Sequence, residues 1–355
     1  MQIYNEFVGK TVLITGDTGF KGAWLAFWLS EMGANVIGYS LPTHSPDSLY
    51  SLLGISSRIM HIDGDLNDEQ KLLQVFVKYQ PEFVFHLAAQ PLVRLSYRSP
   101  KLTFETNFNG SLNLLECIRN TDSVRSLVFV TSDKCYRNKE WVWGYRENDE
   151  LGGGDPYSAS KAVAEVLFTC YMDCYFNDRS GFGGASARTG NVIGGGDWAE
   201  DRIVPDCIRS LMNNSDIQIR QPNAIRPWQH VLEVLHGYLL LAKSLYHSPK
   251  KFSGAWNFGP SYSDCITVKE MATKVMLIWD TKNMVNVRSI EKSTEIHESA
   301  FLRVDSDKAR LNLGWSSKWS AEKTISETVM WYKQVWEGQS PQLVTYRQID
   351  EYMSM

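Results

Sequence analysis

Thr11-Val-Leu-Ile-Thr15-Gly16-Asp17-Thr18-Gly19-Phe20-Lys21-Gly22 is the stretch whose reading decides the fold. Thr11–Thr15 is a short β-branched run and reads as a buried strand. Gly22 to Met32 reads as a helix with Trp24, Leu25, Trp28 and Leu29 on one face, ended by Gly33. Between them lie three glycines. Glycine allows a tight turn and lets backbone N–H groups approach a pyrophosphate, and the following helix N-terminus supplies partial positive charge. A glycine triplet between a first strand and a first helix is the mark of a dinucleotide-binding turn.

Working outward, strands and helices alternate. Asn35–Tyr39, Met60–Asp63, Phe83–Leu87, Ser126–Thr131 and Gly184–Arg188 read as strands two to six. Helices are expected from Asn67, as cap, to Tyr79, from about Leu102 to Arg119, and from Tyr157 to Tyr175. This alternation predicts an α/β fold, a Rossmann-type doubly wound parallel sheet, with ligands beyond the carboxyl ends of the strands. After Gly190 the alternation fails, and Gly194-Gly-Gly196, Pro205 and Arg220-Gln-Pro222 suggest the loops of a smaller cap. The expected division is 1–190 as the NAD-binding domain and 191–355 as a mainly substrate-binding C-terminal domain, some of whose segments return to the first. The stretch after about Glu337 is polar and expected at the periphery.

Composition bounds the function. The 355 residues are 43% hydrophobic, enough for a large core. A net charge of −4 argues against a nucleic-acid footprint while leaving room for a local basic pocket. The six cysteines form no CxxC pair and no zinc-finger spacing with histidine, so no metal is expected and they read as reduced core residues. No apolar stretch is long enough to span a bilayer. The opening Met-Gln-Ile-Tyr-Asn-Glu-Phe has no basic region followed by an apolar run, so no signal peptide is expected. The expectation is a cytoplasmic enzyme.

Within the glycine loop, Asp17 is awkward beside a pyrophosphate unless it is paired or turned outward; facing water, it would bond the loop backbone. After the second strand, Tyr39-Ser40-Leu41-Pro42 carries neither an acid for the ribose 2′-hydroxyl nor an Arg for a 2′-phosphate. The missing Arg disfavours NADP, and Ser40 can still bond a ribose hydroxyl. Asp65 is open to two readings, acceptor for the adenine amino group or turn residue.

Tyr157-Ser-Ala-Ser-Lys161 sets Tyr and Lys one helical turn apart, after a fifth strand that ends Thr131-Ser132-Asp133-Lys134. A nearby ammonium stabilises a phenolate, making Tyr157 a usable base for a sugar hydroxyl. His86-Leu-Ala-Ala89 reads as cofactor-facing, with small alanines permitting close approach.

Gly16/Gly19/Gly22, His86-Leu-Ala-Ala89, Thr106-Asn107, Tyr157/Lys161 and Arg188-Thr-Gly-Asn191-Val together resemble the extended short-chain dehydrogenases acting on nucleotide sugars, over roughly Gly9 to Tyr332. Gly16–Gly22, Thr131–Tyr136 and Gly195–Arg202 narrow the resemblance to the CDP-D-glucose 4,6-dehydratase branch. The resemblance implies a lyase with an internal NAD redox cycle: oxidation at sugar C4, loss of water across C5 and C6, and hydride return to C6. It implies CDP-D-glucose as substrate and a deoxysugar product for surface polysaccharide such as O-antigen. Carried over by position, Tyr157 is the C4 base, Lys161 its modulator, Ser132 an assistant at the C4 oxygen, and Asp133 the acid for the C6 hydroxyl. Lys134 takes the place of the Glu that serves as C5 base in related dTDP-glucose dehydratases. The implied cofactor contacts are Gly16, Thr18, Gly19, Phe20, Gly22, Ser40, Asp65, Leu66, Ala88, Asn107, Tyr157 and Lys161. Asn191, Arg202, Arg226, Asn257 and Arg310 are the expected substrate contacts, although each arginine alone also suits a surface role. A homodimer or larger homo-oligomer is implied, pairing the helices Leu102–Arg119 and Tyr157–Tyr175. A nucleotide-sugar 4-epimerase would need Tyr157 and Lys161 but not Asp133-Lys134; a non-catalytic NAD-binding regulator would need neither pair.

Overall fold

The computed structural model describes residues 2–43, 45–279, 285–290 and 301–355. Its centre is a seven-stranded parallel sheet of β1 (Thr11–Thr15), β2 (Asn35–Ser40), β3 (Met60–Asp63), β4 (Phe83–His86), β5 (Ser126–Val130), β6 (Gly183–Thr189) and β7 (Gly254–Phe258). The strand order is β7-β6-β5-β4-β1-β2-β3, so the chain reverses direction across the sheet between β1 and β4. Six strands lie where the hydrophobic runs put them, within two residues at either end. The seventh comes from the second half of the chain and pairs in parallel with β6, Gly254 opposite Ala185 and Phe258 opposite Thr189. Its connection from β6 runs through residues 190–253 rather than one crossover helix, which hides it from a reading by alternation.

Helix α1 (Phe20–Glu31) buries every residue from Gly22 to Leu29. The expected apolar face is present, but Ala23, Ala26 and Phe27 on other faces are covered as well. A helix buried all round is one packed between layers: the segment 49–57 and the helix Val231–His247 pack on it, and the C-terminal helix touches it as well. Helix α2 (Pro341–Ser354) buries Val344, Ile349 and Tyr352, and the Tyr352 ring meets Trp28 edge-on at 6.4 Å between centroids. The polar C-terminal stretch is therefore part of the core rather than peripheral. Its apolar residues recur at helical spacing, a pattern that mean polarity conceals.

Two long helices carry π-helical turns. Pro100–Phe104 continues through the π turn Glu105–Asn109 into Gly110–Arg119, and Pro156–Tyr171 continues through the π turn Met172–Phe176. The helix Glu69–Tyr79 is capped by Asp68, whose carboxylate accepts from the Lys71 backbone N–H at 3.0 Å, rather than by Asn67. Beyond β6, three two-stranded sheets brace the cap: Val192–Ile193 with Gln229–His230, Ile225–Arg226 with Ile266–Thr267, and Ile217–Ile219 with Val287–Ser289. Four cysteines are buried or half-buried, whereas Cys170 and Cys174 are exposed, which corrects the expectation of six core thiols.

Candidate active site

The glycine loop is shaped by contacts that leave no room for side chains. Gly16 has φ +81°, and a Cβ there would stand 2.8 Å from the Ala88 backbone nitrogen. A Cβ on Gly22 would lie 2.0 Å from the Gly16 carbonyl oxygen. Backbone therefore packs on backbone where β1 feeds α1, and the amides of the first turn are left for an anionic ligand. The cradle and the helix N-terminus fit a dinucleotide pyrophosphate.

Asp17 does not face water and does not bond the loop backbone. It is fully buried and points toward the sheet. Ser40 Oγ donates to its Oδ1 at 3.0 Å, and His61 Nδ1 lies 2.7 Å from its Oδ2. The hydrogen bond that His61 donates to Asp17 is the largest influence on the imidazole and raises its pKa above 6.5. An imidazolium beneath the loop offsets a carboxylate that would otherwise repel phosphate. Gly38 makes space for this pair, since a Cβ there would fall 2.2 Å from the Asp17 carboxylate. Thr18 Oγ1 sits 2.9 Å from Ser40 Oγ, so Ser40 is already tied into the loop and retains only acceptor capacity for a ribose hydroxyl.

Several expected cofactor contacts also serve as braces. Asn67 donates to Asp65 Oδ1 through both its backbone N–H at 2.9 Å and its side chain at 3.1 Å, which is the turn reading of Asp65. Leu66 is buried against Gly110, where a Cβ would meet it at 2.7 Å. Asn107 Oδ1 accepts from the Gln90 backbone at 2.7 Å, and its amide donates to Gln90 O at 3.1 Å and Ser160 Oγ at 2.9 Å. Asn107 thus joins the loop after β4 to the Tyr157 helix. His86 faces the core, between Thr15 Oγ1 at 2.7 Å and Ser111 Oγ at 3.0 Å, and burial lowers its pKa to about 3, keeping it neutral. It ties β1 to β4 and does not face a cofactor; Ala88 provides the close approach.

A cleft of about 1320 Å³ opens beside the loop. Ser132, Asp133, Lys134 and Tyr157 line one wall, and Asn191, Arg202 and Arg226 line another. Ser132 ends β5 and caps a short 3-10 turn, accepting from the Lys134 N–H at 3.3 Å while donating to Asp133 Oδ1 at 3.0 Å. Across from it, Asp155 caps the Tyr157 helix by accepting from the Ser158 N–H at 2.9 Å, with Pro156 in the first turn. Tyr157 and Ser132 share this wall, and Ser132 is near enough to favour the phenolate. Lys161 lies one turn along, buried beside the cleft.

Burial dominates the electrostatics. It lifts the Asp133 carboxyl above the ordinary carboxylate range despite Lys134 and Arg226, which suits a group that must hold a proton. It lowers Lys161 to about 8, with Glu165 opposing the shift. It raises Tyr157 to about 12, outweighing the influence of Ser132. Desolvation of the phenolate thus opposes the lowering of the phenol pKa expected from the Tyr–Lys spacing.

Two expected substrate contacts are not in this cleft. Asn257 is buried in β7, accepting from Tyr136 Oη at 2.8 Å and donating to Tyr145 O at 2.8 Å. Arg310 is exposed and ion-paired with Asp307 one turn before it. Conversely, the sequence reading missed Lys21, which lines the cleft from inside the glycine motif. It also missed Asp197, which anchors Arg202 at 2.7 Å. Among the described residues no group of three His, Cys, Asp or Glu side chains is placed to hold a metal ion.

A doubly wound sheet, a glycine cradle and a Tyr157–Lys161 helix whose Tyr157 lines the cleft define a nucleotide-dependent oxidoreductase scaffold. The chain belongs to the GDP-mannose 4,6 dehydratase family, whose model matches residues 13–328. It is 44% identical to the CDP-glucose 4,6-dehydratase of Salmonella typhimurium, over 99% of this chain and 98% of that protein. The fold is shared with an epimerase of Methanothermobacter thermautotrophicus, with a TM-score of 0.80 at 23% identity, covering 95% of this chain and 96% of that one. It is shared too with the dTDP-glucose 4,6-dehydratase of Streptomyces venezuelae solved with NAD and TYD, with a TM-score of 0.78 at 20% identity, covering 92% and 98%.

Proposed function

We propose that this chain is an NAD-dependent lyase that converts CDP-D-glucose to CDP-4-keto-6-deoxy-D-glucose and water. The observation that carries the reading is the meeting of two sets of groups in one cleft: Tyr157 with Ser132, and Asp133-Lys134 from the same loop after β5. The 44% identity over nearly the whole chain supports the choice of CDP-glucose.

NAD+, held by the glycine cradle, would supply a hydride acceptor for C4 and, once reduced, the hydride for C6. Tyr157 takes the proton of the C4 hydroxyl as hydride leaves C4, with Ser132 holding the same oxygen. Lys161 supplies positive charge to the developing phenolate. The C4 ketone acidifies C5, whose proton Lys134 removes. Asp133 donates its proton to the departing C6 hydroxyl, and water leaves. Hydride return to C6 and proton return to C5 complete the product. Arg202 and Arg226 bind the substrate diphosphate, with Asn191 beside them. In this reading residues 1–190 bind the dinucleotide and 191–355 mainly the sugar nucleotide, with β7 returning to the first sheet. A 4-epimerase has no use for Asp133, whose burial next to Tyr157 therefore favours elimination.

We also place the protein in the cytoplasm, supplying deoxysugar for surface polysaccharide such as O-antigen, and as a homodimer or higher homo-oligomer. No helix among the described residues is long and apolar enough to cross a membrane. Exposed Leu102, Val163, Val166 and Tyr175 give the two π-interrupted helices an apolar outer surface suited to helix pairing. Incubation with CDP-, dTDP-, UDP- and GDP-hexoses plus NAD+ tests the function. Keto-deoxysugar from CDP-glucose alone is expected; C4-epimerised sugar without loss of water would refute it.

A further inference from the structure

Lys21 occupies the second position of α1, inside the glycine loop, and its side chain lines the cleft. It has no hydrogen bond or ion pair to any described residue. Its one recorded neighbour of opposite character is the Tyr238 ring, 5.9 Å from its nitrogen, at the outer limit of a cation–π contact. Every other feature of the position opposes an ammonium. The first turn of a helix is its positive end, burial removes hydration, and Lys161 and Arg202 both repel it, so that its pKa falls to about 7. Among the described residues Asp133 attracts it, through space and without a hydrogen bond. Arg202 differs, because Asp197 already neutralises it at 2.7 Å. A half-buried cation without a protein anion, facing a cleft that holds two diphosphates in turnover, implies an anion brought by the ligand.

We propose that Lys21 is a ligand-binding residue whose ammonium takes a phosphoanhydride oxygen of a bound nucleotide, next to Arg202. The inference rests on the dehydratase reading for the identity of the nucleotides. The two sources of that oxygen are the sugar nucleotide and the dinucleotide, and both present the same chemistry. An anion at this place also restores the charge on Lys21, since a neighbouring negative charge favours the ammonium.

Calorimetric titration of the full chain separates them. Wild type, Lys21→Met and Lys21→Arg are each titrated with CDP-glucose, CDP, NAD+ and ADP-ribose at low and high salt. Lys21→Met should bind one pair of ligands roughly ten- to hundredfold more weakly, the span of one charged hydrogen bond. Its affinity should also depend less on salt. Loss for CDP-glucose and CDP assigns the contact to the substrate diphosphate; loss for NAD+ and ADP-ribose assigns it to the cofactor. Lys21→Arg should recover part of the loss. The melting midpoint of unliganded Lys21→Met should hold or rise, because a desolvated cation has been removed. Affinities within twofold of wild type for all four ligands overturn the proposal, as does a loss accompanied by a lowered midpoint that Lys21→Arg does not restore. Failure of wild type to bind CDP-glucose would count against the dehydratase reading instead.

Discussion

Arg188 on β6 grips Glu165 on the Tyr157 helix through two parallel hydrogen bonds, Nε to Oε1 at 2.9 Å and Nη2 to Oε2 at 2.8 Å, with both side chains buried. Glu165 also accepts from the Thr131 hydroxyl at the end of β5 and from Ser186 at 2.8 Å. Arg188 in turn donates to Tyr136 Oη at 2.7 Å and to Glu147 O at 2.9 Å. One ion pair thus fixes β5, β6 and the Tyr157 helix to each other, next to Ser132 in sequence and one turn from Lys161. Desolvation makes such a pair a modest source of net stability, but its fork geometry fixes how the helix sits against the two strands.

Breaking that pair on one side should be costly. Glu165→Gln leaves the Arg188 charge buried without its anion and should destabilise the fold by about 3–5 kcal/mol. Chemical denaturation measures this directly. The double variant Glu165→Leu with Arg188→Met, which removes both charges, should regain most of the loss. A double variant as unstable as the single one would show that packing, not charge, is what the pair provides.

Tyr157→Phe keeps the ring and removes the proton acceptor. Formation of NADH on mixing with CDP-glucose should fall by about a hundredfold or more, the scale of a lost general base. Affinity for CDP-glucose should change little. Normal turnover would make Tyr157 a core tyrosine and no more.

Asp133 and Lys134 should act after the first oxidation. Asp133→Asn keeps the size without a carboxylic proton, and Lys134→Met keeps the stem without a base. Both should spare NADH formation more than keto-deoxysugar formation, and Lys134→Met should slow solvent-deuterium exchange at C5. Equal loss of both signals would move the residue to substrate positioning or to the redox step.

The His61–Asp17 pair gives a pH signature. His61 has a folded pKa raised above 6.5, so the pair contributes stability that is fully present below 6.5 and is lost as pH rises through the raised value. The stability difference between wild type and His61→Gln should therefore shrink on going from mildly acidic to alkaline conditions. The measurement is ΔG of unfolding against pH for both proteins. A difference that stays constant across that range would mean that His61 is neutral in the fold.

The Tyr157–Lys161 motif and the positions of the first six strands were legible because their signals are local. A β-branched run, a glycine triplet and a Tyr four residues before a Lys each declare themselves within a few positions. Asn107, Asn257 and Arg310 were not legible in the same way. The sequence pattern says that a polar residue is present, and only packing decides whether its amide is spent on Gln90 and Ser160, or its charge on a neighbouring Asp. Lys21 shows the same limit from the other side, for it sits inside the most readable motif and was passed over.

By itself, the sequence determined a parallel doubly wound sheet, a dinucleotide turn at Gly16–Gly22 and a Tyr157–Lys161 helix, because each follows from short-range sterics and periodicity. Only the tertiary structure decided that Gly254–Phe258 closes the sheet, that the polar C-terminal helix sends Val344, Ile349 and Tyr352 into the core, and that Asp17 turns inward to His61. Strand pairing, burial and ion pairing depend on which distant segments meet, and their energies come from desolvation at contacts that no local window contains.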